Sequence, residues 1–188
     1  KILQGKLAAS VFYEPSTRTR FSFESAMLRL GGQVLSMESA GQSSSVIKGE
    51  TLEDSIKVIT GYADVIILRH PEVGAAKRAA KISAVPIINA GDGSGEHPTQ
   101  ALLDLYTIKN ELADLDNFKI ALVGDLLYGR TVHSLIYLFP LCQNVKVFLV
   151  SPPELKLPPE YKSFLKSNNT VFFETKELEK ILPILDVL

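Results

Sequence analysis

Short apolar runs alternate with amphipathic helical patterns along the whole chain, and this alternation limits the fold more than any other feature. The runs have the length of buried strands and cover residues 7–13, 33–37, 64–68, 85–89, 118–124, 145–150 and 170–173. Between them, two sets of apolar residues recur at i, i+4 and i+7, as on one helix face: Phe23, Met27 and Leu30, and Leu52, Ile56 and Ile59. Strands that alternate with helices predict parallel sheets covered on both faces, which is an α/β fold.

A break in this alternation divides the chain into two lobes. The helical pattern over 98–111 ends in the polar segment 113–117, after which a new apolar run begins. We predict a first lobe of residues 1–112, in which 98–112 is a connecting helix, and a second lobe of residues 113–188. Each lobe is expected to hold a parallel sheet flanked by helices. The second lobe is expected to be incomplete, because residues 184–188 read as a strand with no turn or helix after it, so we interpret the chain as part of a longer protein.

Composition and charge exclude several classes of protein. The 188 residues are 46% hydrophobic and 22% charged, which is typical of a globular protein. The net charge of −1, with both signs interspersed, indicates neither a nucleic-acid surface nor a membrane surface, and no apolar run reaches the ~18–20 residues of a membrane span. The single cysteine, Cys142, cannot form an internal disulfide. We therefore expect a cytoplasmic protein, or one in an organelle such as a plastid if a targeting segment precedes these residues.

The segment Glu-Pro-Ser-Thr-Arg-Thr-Arg at 14–20 lies between an apolar strand and an amphipathic helix. Ser16 suits the N-cap, so Thr17, Arg18 and Thr19 fall in the first turn, where backbone N–H groups and the helix dipole favour an anion. Arg18 adds a guanidinium fork that matches phosphate, and the hydroxyl groups add donors. The alternative is a capped helix whose arginines are only solvated.

Further polar segments follow other predicted strands. The loop 43–51 carries Lys48, which can act on an anion as a point charge, although a plain solvated loop is the alternative. Arg69 follows the third strand, and His97 begins a helix after a glycine-rich segment. Ligands of open α/β sheets bind beyond the carboxyl ends of the strands, so Arg18, Arg69 and His97 are expected to converge on one crevice. A purely structural role is the alternative for His97.

The second lobe repeats the passage from strand to helix at 124–134. The dinucleotide fingerprint G-x-G-x-x-G is absent there, and Arg130 at the helix start is a candidate clamp for a carboxylate, with a surface arginine as the alternative. His133 is interpreted as a structural helix residue. The sequence has no zinc-protease motif, paired cysteines, nucleophile elbow or Walker A loop, so we predict no metal and no cofactor. Direct transfer between two bound substrates, by positioning and electrostatics, fits this set of residues.

The segment 12–20 resembles the carbamoyl-phosphate signature of the aspartate and ornithine carbamoyltransferase family. The sequence His97-Pro98-Thr99-Gln100 is similar to the second signature of that family, and the segments 48–51 and 124–134 resemble its aspartate branch. The resemblance implies an enzyme that carbamoylates the α-amine of L-aspartate, an early step of pyrimidine synthesis, and that forms N-carbamoyl-L-aspartate and phosphate.

The family resemblance also implies roles for individual residues. Those implied to bind carbamoyl phosphate are Ser16, Thr17, Arg18, Thr19, Arg69, His97 and Gln100. Four of them are implied to be catalytic: Arg18, Thr19, Arg69 and His97. Lys48 and Arg130 are implied to bind aspartate, and Ser44 and Lys48 to reach in from a neighbouring subunit of a homotrimer with shared active sites. Two weaker implications are that Glu50 orients Arg18 across the interface and that Glu14 meets Arg130 when the lobes close.

Two other functions stay open at this point. The first is a carbamoyltransferase that acts on ornithine or another amine, although Arg130 and Lys48 favour a dicarboxylate. The second is a non-catalytic module that binds carbamoyl phosphate. The sequence also leaves open regulatory or multienzyme partners, and it predicts that this chain alone is a poor catalyst because part of the implied aspartate site is missing.

Overall fold

The computed structural model describes residues 1–40 and 49–188, which form two compact units, Lys1–Glu96 and His97–Leu188. The first unit contains a four-stranded sheet of order β2-β1-β3-β4, in which every neighbouring pair is parallel. Its strands are β1 Leu7–Phe12, β2 Gln33–Met37, β3 Val65–His70 and β4 Ile87–Asp92. Its described helices are α1 Thr17–Arg29, α2 Leu52–Ile59 and α3 Ala75–Ile82. The α/β prediction is confirmed for this unit.

Successive residues of β1 point to opposite faces of the sheet and enter two apolar clusters. Ala8 and Phe12 pack with Met27 of α1 on one face. On the other face, Ala9 and Val11 pack with residues of α2 and α3, including Ile56. On the faces predicted from spacing, Met27, Leu52 and Ile56 are buried, whereas Leu30, at the end of the first face, is 42% exposed.

The C-terminus of α1 has the geometry that its two glycines predict. Gly31 has a φ of 95°, and its N–H donates to the carbonyl of Leu28, while the N–H of Gly32 donates to the carbonyl of Met27. This is the Schellman arrangement, which ends a helix on a residue in the left-handed region. Because α1 ends abruptly here, β2 begins at Gln33, where it pairs with β1.

The second unit contains a three-stranded parallel sheet of order β5-β6-β7. Its strands are β5 Lys119–Val123, β6 Lys146–Val150 and β7 Val171–Thr175. Its helices are α4 Pro98–Leu112, α5 Arg130–Ile136, α6 Pro159–Ser167 and the short α7 Leu178–Ile181, with 3-10 turns at Phe139–Leu141, Pro153–Leu155 and Leu182–Ile184. The α/β prediction is confirmed here too.

The boundary between the units differs from the predicted one. Ala101, Leu105 and Ile108 of α4 belong to the apolar core of the second unit, and α4 packs against α5. The compact units therefore divide before α4, between Glu96 and His97, and the predicted lobe boundary after residue 112 stays a prediction. The polar segment 113–117 follows the end of α4 at Leu112.

The strand expected at 184–188 is wrong as a strand. A 3-10 turn covers Leu182–Ile184. The segment pairs with the second sheet through an isolated parallel β-bridge between Val187 and Ile120 of β5. Pro183 favours the turn because its ring fixes φ and it has no N–H to donate to a sheet. The carboxylate of Asp186 then accepts the N–H of Lys119 at 2.8 Å, where a strand would offer a backbone carbonyl. In the described ranges, no helix is long and apolar enough to cross a bilayer.

Candidate active site

The N-terminus of α1 is the candidate anion site of the first unit. Ser16 is the N-cap, as predicted, but its hydroxyl makes no capping hydrogen bond, and the first turn contains no acidic residue. The first intrahelical bond runs from the N–H of Arg20 to the carbonyl of Ser16, so the N–H groups of Thr17, Arg18 and Thr19 have no acceptor within the helix. Exposed donors at the positive end of a 13-residue helix favour a negatively charged ligand.

The two arginines of this turn have different surroundings. Nη1 of Arg20 lies 2.7 Å from a carboxylate oxygen of Glu38, and its Nε lies 3.9 Å from Glu24. Glu24 in turn accepts the hydroxyl of Ser36 at 2.6 Å. Arg18 is exposed, and its guanidinium has no carboxylate partner among residues 1–40 and 49–188. Arg20 therefore links α1 to the residue that follows β2, and Arg18 is the more exposed of the two arginines.

Arg69 lies near the carboxyl end of β3, beside the residues that lead into α1. It is the penultimate residue of β3 rather than the residue after the strand, and it is in register with Phe12 of β1. Its Nε donates to Oε1 of Glu14 at 2.7 Å, its Nη2 lies 2.6 Å from the same oxygen, and its Nη1 donates to the carbonyl of Ala90 at 3.4 Å. Arg18 thus follows β1, and Arg69 lies in the last two residues of the neighbouring strand β3, so both are near the carboxyl ends of the strands.

His70 and Tyr13, the sequence neighbours of Arg69 and Glu14, pack against each other with their ring centroids 4.7 Å apart. Burial lowers the pKa of His70, while the nearby carboxylates of Glu72, Glu14 and Glu53 oppose that shift. Nδ1 of His70 accepts the N–H of Glu72 at 3.1 Å, which also favours the neutral ring. Burial raises the pKa of Tyr13, against the effect of its hydrogen bond with Ser55. Both groups therefore stay uncharged at neutral pH and contribute shape rather than charge.

Asp92 organises the glycine-rich loop at the end of β4, a role that the sequence reasoning missed. Its carboxylate is buried and accepts three hydrogen bonds: from the N–H of Gly74 at 2.8 Å, from the N–H of Glu96 at 2.9 Å, and from the side-chain amide of Asn89 at 3.1 Å. Gly93 must be glycine here, because its φ is 55° and a Cβ would lie 2.4 Å from the carbonyl oxygen of Pro71. An aspartate within a run of glycines is the signal that could have identified this loop anchor.

In the second unit, His97 and Gln100 occupy the start of α4. His97 is the N-cap and is buried, and its N–H donates to the hydroxyl of Ser134 at 2.8 Å. Its Nδ1 lies 3.4 Å from the hydroxyl of Thr99, and the amide of Gln100 donates to Asp104 at 2.8 Å. Ser134 was also missed by sequence reasoning, since it lies 37 residues from His97 in the chain. It joins the N-terminus of α4 to α5.

Arg130 is the first residue of α5 and is partly buried. The turn before it is held by Asp125, whose Oδ1 accepts the N–H groups of Leu127 at 3.0 Å and Tyr128 at 2.9 Å. Gly129 is confined in that turn, because a Cβ there would lie 2.4 Å from the carbonyl oxygen of Asp125. The backbone that carries Arg130 is therefore sterically and hydrogen-bond constrained.

The contacts of the structure do not test the roles predicted for Ser44, Lys48, Glu50 and Glu14. Ser44 and Lys48 lie outside the described residues. Glu50 is described and lines a mainly apolar cleft of about 260 Å³ with Tyr13 and Met37. Glu14 is bonded to Arg69, and its expected contact with Arg130 stays a prediction. In the parts of the chain that the structure describes, no group of three or more His, Cys, Asp or Glu residues could hold a metal ion.

The chain is similar to known proteins over its whole length. It is 58% identical to the aspartate carbamoyltransferase catalytic subunit of Methanocaldococcus jannaschii and covers 61% of that protein. It is 53% identical to the chloroplastic aspartate carbamoyltransferase of Oryza sativa and covers 52% of it. In both matches, all 188 residues of the chain are aligned. The chain thus spans between about half and three fifths of these relatives.

Solved structures give the same picture. The chain superposes on the catalytic subunit of M. jannaschii aspartate transcarbamoylase with a TM-score of 0.90 at 57% identity, covering all of this chain and 61% of that one. It also superposes on aspartate transcarbamoylase of Trypanosoma cruzi in complex with carbamoyl phosphate and aspartate, with a TM-score of 0.89 at 40% identity, covering 99% of this chain and 60% of that one. The family description "Aspartate/ornithine carbamoyltransferase, carbamoyl-P binding domain" matches residues 1–110. The chain therefore belongs to the aspartate/ornithine carbamoyltransferase family.

Proposed function

We propose that this chain forms the carbamoyl phosphate-binding lobe, and part of the aspartate-binding lobe, of an aspartate carbamoyltransferase. The first lobe is assigned to residues 1–112 and the second to 113–188. The observation that carries the proposal is the placement of two arginines near the carboxyl ends of adjacent strands. Arg18 lies in the first turn of the helix that follows β1, and Arg69 lies near the end of β3. Two cations and a turn of backbone N–H groups suit a phosphate joined to a polar carbonyl.

Carbamoyl phosphate is expected to bind first. Its phosphate accepts hydrogen bonds from the N–H and hydroxyl groups of Ser16, Thr17 and Thr19, and Arg18 supplies the charge. Its carbonyl oxygen is expected to contact Thr19 and Arg69, whose guanidinium has five N–H donors, of which Glu14 and Ala90 take three. His97 is proposed to contact the same oxygen and Gln100 the carbamoyl amine.

The transfer needs no covalent enzyme intermediate. The neutral α-amine of aspartate attacks the carbonyl carbon, and negative charge develops on the carbonyl oxygen, where Arg69, His97 and Thr19 stabilise it. The C–O bond to phosphate then breaks, and the leaving phosphate, stabilised by Arg18, takes the proton that the amine loses. Loss of one such donor costs about 10²–10³ in kcat, which sets the effect expected for each of these three residues.

The acceptor is proposed to be L-aspartate, with Arg130 on one of its carboxylates. A guanidinium on a constrained turn matches a planar carboxylate, whereas the cationic amine of ornithine requires an acidic partner. Relatives that are 53–58% identical carry the aspartate name, and a T. cruzi relative was solved with carbamoyl phosphate and aspartate. The product is then N-carbamoyl-L-aspartate, an early intermediate of pyrimidine synthesis.

The assembly and location complete the proposal. We expect a homotrimer in which Ser44 and Lys48 of one subunit enter the site of the next, with Glu50 near Arg18 across that interface. Regulatory or multienzyme partners are compatible with this arrangement. The location is proposed to be cytoplasmic, or plastid if a targeting segment precedes these residues, since relatives in rice and pea are chloroplastic.

The experiment is an acceptor panel with the full-length polypeptide that contains these residues. Carbamoyl phosphate labelled in the carbamoyl group is supplied with L-aspartate, L-ornithine or L-glutamate, and the labelled products are separated. Labelled carbamoyl-aspartate as the main product, lost in Arg69→Ala, is the expected result. Labelled citrulline as the main product would assign the ornithine reaction instead. Binding of carbamoyl phosphate without transfer to any amine would leave a binding module.

A further inference from the structure

His133 is a buried imidazole in the second unit that the proposed reaction does not use. It is 4% exposed, and its ring stacks on Tyr161 with the centroids 4.2 Å apart and an interplanar angle of 15°. Nε2 lies 2.9 Å from the carbonyl oxygen of Leu126. A carbonyl oxygen only accepts hydrogen bonds, so Nε2 carries a proton and donates it. The stack and the hydrogen bond together fix both the plane and the tautomer of the ring.

The carbonyl that His133 holds belongs to the turn before Arg130. The same residue, Leu126, is fully buried, and its N–H donates to the carbonyl of Leu155 at 3.0 Å. The backbone N–H of His133 also donates to the carbonyl of Gly129 at 3.1 Å. His133 therefore contacts the turn at two places, through its side chain at Leu126 and through its backbone at Gly129. Only the side-chain contact depends on the residue being histidine.

We propose that His133 is a positioning residue for Arg130, an inference that rests on the proposed role of Arg130 in binding a carboxylate of aspartate. The hydrogen bond from Nε2–H fixes the orientation of the peptide group after Leu126. The orientation of this peptide group in turn determines the position of the backbone of Arg130. An anion clamp that is misplaced by about 1 Å loses much of its contribution to a bound substrate. His133 acts through Arg130, so its effect is specific to the acceptor and does not extend to carbamoyl phosphate.

The first test needs no substitution. Nitrogen chemical shifts of 15N-labelled histidine in the full-length protein report which ring nitrogen carries the proton. A protonated Nε2 with a scalar coupling across the hydrogen bond to the Leu126 carbonyl is the expected result. An unprotonated Nε2 would overturn the proposal, whatever the substrate of the enzyme is.

The second test compares two replacements of His133 in the full-length enzyme. His133→Leu keeps an apolar group against Tyr161 but has no donor, and His133→Gln places an amide N–H near the position of Nε2. We expect His133→Leu to raise KM for L-aspartate roughly three- to tenfold, the size of one hydrogen bond, with KM for carbamoyl phosphate within about twofold. His133→Gln is expected to recover most of this loss. Equal changes in both KM values, or no recovery in His133→Gln, would mean a general packing role.

Phe164→Leu is the matched control for packing. Phe164 lies in the same aromatic cluster, with its ring 4.7 Å from that of Tyr137, but it has no hydrogen bond to the turn. We expect Phe164→Leu to lower the melting temperature without a selective effect on KM for L-aspartate. A selective rise in that KM with Phe164→Leu would show that any loosening of the cluster disturbs the acceptor, and it would contradict a specific role of His133.

A double-mutant cycle separates this inference from the proposed function. If His133 acts through Arg130, His133→Leu adds no further change in KM for L-aspartate to Arg130→Ala. An additive effect would overturn the positioning role while leaving aspartate as the acceptor. An unchanged KM in Arg130→Ala itself would instead remove Arg130 from the acceptor site, and the proposed function would fail at that residue.

Discussion

Glu14 and Arg69 form an ion pair in which a single oxygen, Oε1 of Glu14, lies 2.7 Å from Nε and 2.6 Å from Nη2 of Arg69. Both side chains are largely buried, with exposed fractions of 27% and 11%. The pair holds the guanidinium at the end of β3, where the proposed reaction needs a cation beside the carbonyl of carbamoyl phosphate. The carboxylate of Glu14 is thus a direct partner of this cation.

The free energy of this pair is measurable by a double-mutant cycle. We expect a coupling free energy of roughly 1–3 kcal/mol between Glu14→Gln and Arg69→Gln in urea unfolding, because a partly buried, charge-assisted bond is lost. The pair Lys6 and Asp64, with exposed fractions of 57% and 41%, is the control. Exposed pairs contribute about 0–1 kcal/mol, so equal coupling in the two cycles would contradict the account of Glu14 and Arg69.

Two glycines near Arg130 are predicted to respond differently to alanine. In Gly129→Ala the new Cβ meets the Asp125 carbonyl oxygen at 2.4 Å, so the turn has to move, at a cost of about 1–3 kcal/mol. Gly124 has a φ of 108° but open space around its Cβ position, so Gly124→Ala strains only the backbone. We expect KM for aspartate to rise in Gly129→Ala much more than in Gly124→Ala. Thermal melts and steady-state kinetics of both variants check this, and equal KM values would show that the turn does not control Arg130.

The pH dependence of stability is predicted from His70. Burial lowers its folded-state pKa below the unfolded value of about 6.5, so the unfolded state binds more protons between the two values. The unfolding free energy is therefore expected to fall as the pH drops from about 7 towards 5. His70→Asn keeps an acceptor for the N–H of Glu72 and cannot titrate, so its stability should vary less over this range. Urea unfolding at several pH values checks this, and identical slopes would exclude His70 as the source.

A polypeptide that ends at Leu188 is predicted to bind carbamoyl phosphate and to turn over slowly. It carries the proposed phosphate-binding helix and Arg69 but covers 61% of the M. jannaschii catalytic subunit, so part of the proposed aspartate site is not in it. Calorimetry and a carbamoyl-aspartate assay, performed beside a polypeptide of the full family length, test this. Equal kcat values for the two polypeptides would contradict the proposed contribution of the remaining residues.

Local patterns predicted most of the fold. The apolar spacing in α1 and α2 (apart from the exposed Leu30), the glycine stop after α1 and the N-cap at Ser16 depend on neighbouring residues and are confirmed. The predicted strand ends were less accurate. β3 extends through Arg69 and His70, whose polar side chains do not indicate a buried strand. The edge of the second core and the turn before Val187 depend on long-range packing that periodicity does not encode.

The candidate site was only partly predictable for the same reason. Residues with charge at strand and helix ends stand out in the sequence, which is why Arg18, Arg69, His97 and Arg130 were singled out. Their supporting partners do not stand out, because the bonds from Arg69 to Glu14 and from His97 to Ser134 join residues 55 and 37 positions apart. Whether these residues bind the proposed substrates stays a prediction.

The most direct measurement is a calorimetric titration of carbamoyl phosphate into the full-length protein beside two single variants. Arg18→Ala removes the proposed phosphate ligand at the N-terminus of α1, and Arg29→Ala removes an equal charge from the last turn of the same helix. The account predicts that binding is lost in Arg18→Ala and kept in Arg29→Ala. Equal binding in Arg18→Ala and the unsubstituted protein would contradict it, because the phosphate would then lie elsewhere.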